Sequence, residues 1–340
     1  MIRSAIARRA SDIHVDPMRD GFQIKFRVDG VLEEIAAHDE ASGRGIVSRV
    51  MVMAHLLTYR LDIPQEGKAE AQGVDLRISV MPTTHGMRAA IRLPAELVQP
   101  KTLEELGLPA RVLDGLKQFA AGDAGMLVIS GPAGAGKTTT IYALLDYIAR
   151  SSPGVSIIAL EDPVERDLAG VTQIEVSPFG ELTYERALRS ILRQDPQVLM
   201  LGEIRDSATA TLAVQAALSG HRLICTLHAG TPGGAVARLV EMGMEPYQIS
   251  SAIFGVVSQR LLRRKHGTGY SGRVPVAEIA MMDAKLRQAI LGRGDRDAVQ
   301  EAIASQEHFV GIRAAAEELI VAGITDGDEV RRVLGERTGG

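Results

Sequence analysis

Between residues 110 and 228, short apolar runs alternate with stretches that favour helix, the pattern of a parallel α/β sheet whose strands are covered on both faces. The strand-like runs are 126–130 (MLVIS), 155–161 (VSIIALE), 171–176 (VTQIEV), 197–203 (QVLMLGE) and 222–228 (RLICTLH). Helices are expected over 137–150, 182–194 and 208–220, the last with Gly220 as its C-terminal cap. From Pro232 the spacing of apolar residues predicts a mainly helical C-terminal region, interrupted by one short strand at 273–280 (RVPVAEIA).

Residues 1–93 carry a different pattern, that of a small α+β domain. A short helix and a strand are expected in SAIARRASDIHVDP. In GFQIKFRVDGVLEEI apolar and polar residues alternate about Asp29-Gly30, a strong hairpin signal. Residues 45–57 have helical spacing, and VDLRISVMP and HGMRAAIRLP predict two more strands joined near Thr83 to Gly86. Arg77, Arg88 and Arg92 fall on or beside these strands. Residues 94–109, with three prolines and a short acidic stretch, read as a semi-stiff hinge linker before the domain that fills 110–340.

Composition narrows the class. At 340 residues the chain is long enough for two domains, and 46% hydrophobic content supplies sizeable cores. With no Trp and 4% aromatics, packing rests on aliphatic side chains and methionine. The net charge of −4 argues against a protein that coats nucleic acid. The single cysteine, Cys225, excludes an internal disulfide framework and any multi-cysteine zinc site, and fits a reducing cytosol. The N-terminus lacks a signal-peptide core, and no apolar run is long enough to span a bilayer. Any membrane role is therefore expected to be peripheral, through a partner.

The chemistry gathers at the ends of the apolar strands. Gly131, Pro132, Ala133, Gly134, Ala135, Gly136, Lys137, Thr138 and Thr139 form a phosphate loop of the GxxxxGK[ST] type between a strand and a helix. Its glycines let successive N–H groups face phosphate oxygens, the helix adds its positive end, Lys137 adds a charge, and Thr138 offers a hydroxyl to Mg²⁺. Hydrolysis also requires carboxylates near the metal and the water. Two clusters offer them: Glu161-Asp162-Pro163-Val164-Glu165, and Gly202-Glu203-Ile204-Arg205-Asp206. Gly202 stands where a usual strand of this kind ends in Asp, and is read as leaving room for Glu203. His228 ends a strand beside the phosphate loop, where it can feel a γ-phosphate; His221 begins that strand and reads as a packing or hydrogen-bonding residue. The basic run 259–265 (QRLLRRK) reads as the solvated face and end of a helix, or a contact for an acidic partner.

The ordered set GPAGAGKTTT, EDPVE, SILRQDPQVLMLGEIRD and LSGHRLICTLHAGTP resembles the type II secretion and type IV pilus assembly ATPases, the GspE/PilB group. The likeness extends upstream through ASDIHVDP and DLRISVMPTTHGMRAAIRL and downstream through LVEMGMEPYQISSAIFGVVSQRLLRR and AGITDGDEVRRVL. It implies a RecA-like P-loop NTPase motor domain joined to a smaller N-terminal PAS-like domain. It further implies a homo-hexamer that hydrolyses ATP with Mg²⁺ and works, cytoplasmic and peripheral, on an inner-membrane platform protein to build a pilus or pseudopilus. By this resemblance Lys137 and Thr138 bind phosphate and metal, Glu203 supports the metal, Glu161 or Glu165 orients the water, and His228 senses the γ-phosphate. Arg77 and Arg92 match arginines that reach the nucleotide from the N-terminal domain. The region from Arg77 to Arg92 looks like the assembly and secretion branch more than the PilT retraction branch.

Three departures stand out. The four-cysteine zinc motif that usually follows QRL is missing, so no zinc site is expected. The usual GERxxLR reads Gly86-Met87-Arg88-Ala89-Ala90-Ile91-Arg92, without its Glu. The sequence also starts at the PAS-like domain, without the extra N-terminal domain many members use for docking. The alternatives are a DNA-uptake or conjugation-type traffic ATPase on the same fold, a nucleotide-gated scaffold with little turnover, and a helicase; direct nucleic-acid binding is not expected from the acidic balance.

Overall fold

The computed structural model describes residues 1–94, 102–177, 180–292 and 296–336. The chain divides into two compact units, Met1–Gln99 and Pro100–Gly340. Part of the expected linker, residues 95–101, lies outside the described residues. Its second half is anchored to the larger unit: a 3-10 turn at Glu104–Leu106 follows, and Leu103 and Leu106 are buried in that unit's core.

The first unit opens with helix α1 (Ile2–Ala7) and strands β1 (Ala10–Met18), β2 (Gly21–Val28) and β3 (Val31–His38). Helix α2 (Glu40–Met53) and strands β4 (Gln65–Ala71), β5 (Val74–Thr83) and β6 (Gly86–Arg92) complete it. The strands form one antiparallel sheet in the order β3-β2-β1-β6-β5-β4. The hairpin at Asp29-Gly30 forms as expected, both residues taking positive φ, as a two-residue hairpin turn requires. Helix α2 begins five residues before the expected start, because Asp39 accepts the Ser42 N–H and caps it. Strand β4 was not legible: QEGKAEA is an edge strand with only Ala69 buried, and its charged residues face away from the core.

The second unit contains helix α3 (Ala110–Ala121), strand β7 (Gly125–Ser130), helix α4 (Lys137–Ser151) and strands β8 (Ile157–Glu161) and β9 (Thr172–Glu175). Helix α5 (Tyr184–Ile191), strand β10 (Val198–Leu201), helix α6 (Ser207–Leu218), strand β11 (Arg222–Leu227) and helices α7 (Pro232–Glu241) and α8 (Pro246–Ala252) follow. The long strands β12 (Ile253–His266) and β13 (Gly269–Met281) precede the helices α9 (Ala284–Leu291), α10 (Arg296–Ala304), α11 (Ile312–Val321) and α12 (Gly327–Leu334). The sheet order is β13-β12-β7-β11-β10-β8-β9, parallel from β12 to β9, with β13 antiparallel at the edge. This is the RecA-like α/β architecture. Residues Met126 and Val128 of β7 enter one core, while Leu127 and Ile129 enter the other. That two-sided burial is why the strand reads as an unbroken apolar run.

The expectation of a mainly helical C-terminal region is corrected between 253 and 281. The basic run QRLLRRK lies in strand β12, not at the end of a helix, and the short strand expected at 273–280 belongs to the longer β13. Strand β12 lies between β7 and β13, and its two faces are both covered, Val256 entering one core and Val257 the other; a continuous apolar run does not distinguish a buried strand from a buried helix. The far end of this hairpin is tied to α12 by a buried acid. Glu329 is fully buried and accepts from the Arg263 guanidinium at 2.9 Å and from Arg332 at 2.7 Å and 2.6 Å. Burial pushes its pKa up, but the hydrogen bonds from Arg332 and Arg263 outweigh it and bring it down from 4.5 to about 2.

A folded-state pKa below the unfolded one adds stability above the unfolded value, and that stability is lost as pH falls through the folded value. The wild-type larger unit is therefore expected to lose stability as pH drops from 4.5 toward about 2 in part through Glu329. Glu329→Ala should cost about 2–3 kcal/mol at pH 7 in urea unfolding, because it removes the charged hydrogen bonds that hold Arg263 and Arg332 to one buried carboxylate. The difference between variant and wild type should shrink in acid.

Candidate functional site

Strand β7 runs into the phosphate loop, and α4 starts at Lys137. Gly136 precedes the helix with φ 85°, which L side chains rarely adopt. The Lys137 ammonium donates to the carbonyls of Gly131 at 2.8 Å and Pro132 at 3.0 Å. Burial lowers its pKa, Glu203 opposes that shift, and Arg260 adds to it. The loop's Pro132, Ala133 and Gly134 are exposed, Ala135 is buried, and Thr138 and Thr139 lie in the first turn of α4.

Thr138, Glu161, Glu165 and Glu203 line one cleft at the carboxyl edge of the sheet. Strands β8, β10 and β11 all end here, the place where parallel sheets gather ligands. Glu203 follows β10 and lies between two side chains: His228 Nε2 is 3.0 Å from Oε1, and Arg205 Nε donates to Oε2 at 2.8 Å. Arg205 also pairs with Asp162 at 3.5 Å. The line His228–Glu203–Arg205–Asp162 thus joins the ends of three strands. Arg205 was not singled out from sequence, although its place in GEIRD was the available signal.

Glu161 and Glu165 occupy different settings. Glu161 is buried; the Tyr142 hydroxyl donates to Oε2, and Gln173 donates to Oε1 at 2.8 Å. Burial raises its pKa against the pull of those two donors. Tyr142 in turn accepts the Glu165 N–H at 3.1 Å, and burial beside Glu161 pushes its own pKa up. The tyrosine therefore ties the phosphate-loop helix to the acidic loop. It was legible only as the residue one helical turn after Thr138. Glu165 itself is exposed.

A Cβ at Gly202 would sit 2.7 Å from the Tyr184 hydroxyl and 3.3 Å from the Leu160 carbonyl, so the strand end is closely covered there. His221 hydrogen-bonds the Ala216 carbonyl at 2.9 Å, away from the cleft. Cys225 is fully buried, and burial raises its pKa to about 12.

Arg77 and Arg92 belong to the first unit, where they are directly opposed on β5 and β6. Arg92 pairs with Asp12 at 3.2 Å, and Arg88 pairs with Asp16 at 2.7 Å. Met87, standing where the resembled motif has Glu, is buried in the sheet's core. An acid at this position would enter apolar packing, so the loss of that Glu matches the face it occupies.

A family model described as "Type II/IV secretion system protein" matches residues 1–332. The chain belongs to this family. It is 37% identical to a type II secretion system protein of Pseudomonas aeruginosa, HxcR, over 98% of this chain and 76% of the relative. It is 36% identical to the type II secretion system ATPase E of Vibrio cholerae, over 99% and 74% respectively. The type IV pilus assembly ATPase PilB of Thermus thermophilus is 35% identical over 97% of this chain and 42% of its own length. Among solved structures, the pilus retraction motor PilT with bound ADP aligns over 97% of this chain and 95% of that one, with TM-score 0.71 and 28% identity. The Legionella pneumophila ATPase DotB, at 21% identity and TM-score 0.79 over 97% and 93%, shares the fold. Among the described residues no helix is long and apolar enough to cross a membrane.

Tyr142→Phe removes the hydroxyl that Glu161 accepts from and that the Glu165 N–H donates to. A loss of about 1–3 kcal/mol in denaturant unfolding is expected. Because this hydrogen bond favours the ionised acid, the loss should be larger at pH 8 than at pH 4.5.

Proposed function

We propose that the chain is the motor subunit of a secretion or pilus-assembly machine, hydrolysing ATP with Mg²⁺. The observation that carries the reading is the cleft itself: Thr138, Glu203 and the Asp162–Glu165 loop converge beside the phosphate loop, with His228 on Glu203. Relatives named as secretion and pilus ATPases support it.

The donor set suits a hard cation that keeps part of its shell on phosphate and water: a threonine hydroxyl and carboxylates, with no group of three or more His, Cys, Asp or Glu among the described residues that could cage a metal alone. Thr138 and Glu203 would hold Mg²⁺, which when bound supplies charge neutralisation at the β- and γ-phosphates. The loop N–H groups and Lys137 bind the triphosphate, Lys137 exchanging its two carbonyl partners for phosphate oxygens. Both oxygens of Glu161 already accept hydrogen bonds, so we assign it to anchoring the loop. Exposed Glu165 is then the acid that orients the water and takes its proton as the water oxygen bonds to the γ-phosphorus and the bond to ADP breaks. His228, resting on Glu203, reports whether the γ-phosphate is present.

We further assign Arg77 and Arg92 to the developing phosphoryl charge in an assembled homo-hexamer, which turns nucleotide-driven movement into work on an inner-membrane platform protein. The chain then acts from the cytoplasm, peripheral to that membrane. Pilus, pseudopilus or DNA traffic is decided by the partner rather than by this cleft.

Hydrolysis of ATP by wild type, Lys137→Ala and Glu203→Gln tests the reading, and equal rates in all three would sink it. Lys137→Ala should lose nucleotide binding; Glu203→Gln and Glu165→Gln should keep it and turn over about 10²–10⁴-fold more slowly. Arg92→Ala should bind ADP normally but lose about 10³-fold in turnover, with assembly checked by sizing with and without a non-hydrolysable ATP analogue. Wild-type turnover in Arg92→Ala would remove that arginine from the mechanism.

A further inference from the structure

We propose that Gln259 and Arg260, consecutive on β12, are positioning residues of the phosphate site. Gln259 holds the shape of the phosphate loop from beneath, and Arg260 holds the loop after His228 against it. This rests on the nucleotide reading above.

Strand β12 pairs with β7 up to Ser258 opposite Ser130, whose hydroxyls lie 2.7 Å apart, so the next two residues of β12 run beside the start of the phosphate loop. Gln259 is buried at 1% exposure, where an amide must find partners. Both of its partners belong to the loop and its helix. The Thr140 hydroxyl donates to Oε1 at 2.9 Å, and Nε2 donates to the Ala135 carbonyl at 2.8 Å. The two glycines that bound the loop press on the same residue. A Cβ on Gly131 would lie 2.5 Å from the Gln259 carbonyl oxygen, and one on Gly136 would lie 2.8 Å from Nε2. The loop's curvature is therefore moulded on Gln259.

The Arg260 side chain reaches across the sheet edge. Nη1 donates to the Gln259 carbonyl at 2.8 Å, and Nη2 donates to the Gly230 carbonyl at 3.2 Å. Gly230 is two residues past His228, whose ring rests on Glu203. Both of these hydrogen bonds go to backbone carbonyls, and through them the guanidinium places the His228 loop. The two residues divide the work: Gln259 governs how well any nucleotide is held, and Arg260 governs what happens once it is held.

The test uses the full chain, fluorescent ADP binding, steady-state ATP hydrolysis and thermal melting. Gln259→Ala is expected to raise the ADP Kd and the KM for ATP together by about ten-fold or more, the scale of the two hydrogen bonds lost. Thr140→Val, which removes the donor to Oε1 at constant volume, should shift both in the same direction and serves if Gln259→Ala does not fold. Arg260→Ala should keep the ADP Kd within about two-fold and lower kcat by about ten-fold, again the scale of one lost hydrogen bond. Arg260→Lys should not restore kcat, because an ammonium lacks the planar fork that spans two carbonyls. Unchanged ADP affinity in both Gln259→Ala and Thr140→Val would overturn the role of Gln259. An Arg260→Ala chain that loses ADP as Lys137→Ala does, or full rescue by Arg260→Lys, would overturn the role of Arg260. A wild-type chain that binds no ADP would overturn the nucleotide reading, and this inference with it.

Discussion

A carboxylate held between an imidazole and a guanidinium at the edge of a parallel sheet organises the larger unit's cleft. Glu203 meets His228 on one side and Arg205 on the other, and Arg205 reaches Asp162. The three strands that end there, β8, β10 and β11, are adjacent in the sheet, so a shift in any one of their terminal loops is felt by the other two. Thr226 adds a neutral tie, donating to the Gly202 carbonyl at 2.6 Å while its own carbonyl accepts the Ile204 N–H. Charge, hydrogen bonding and strand order thus converge on one side chain.

The cleft is built in two tiers. The upper tier holds groups that can exchange partners: the half-buried Lys137 ammonium on loop carbonyls, and the exposed Glu165 and Arg205. The buried tier beneath it is closed. Tyr142, Glu161, Thr140 and Gln259 satisfy one another, the half-buried Gln173 or the backbone. Low dielectric makes an unsatisfied group there costly, so this tier resists deformation and gives the upper tier a rigid base. The antiparallel hairpin of β12 and β13 continues that base outward to α12, through the buried Glu329 and its two arginines.

The first unit follows a different rule. Its antiparallel sheet buries one face in an aliphatic core and leaves the other to charged cross-strand pairs: Asp12 with Arg27 and Arg92, and Asp16 with Lys25 and Arg88. Such half-exposed pairs add little stability individually.

Much of this was legible in the linear pattern. The phosphate loop, the strands that end in Glu161, Glu203 and His228, and the Asp29-Gly30 hairpin depend on local geometry, which spacing and residue type encode directly. The strand character of 253–266 was not legible, because a strand buried on both faces shows neither alternation nor helical periodicity. Strand β4 was missed for the opposite reason: an edge strand buries almost nothing. The floor of the site was also invisible, since Gln259 and Thr140 are 119 residues apart in sequence and meet only when β12 pairs with β7. Residue order determined which chemistry the chain carries and which strands of the parallel sheet lead into it. Only the tertiary fold decided which acids are buried, which are exposed, and which polar side chains hold them in place, because burial and partnership are properties of neighbours brought together from distant parts of the chain.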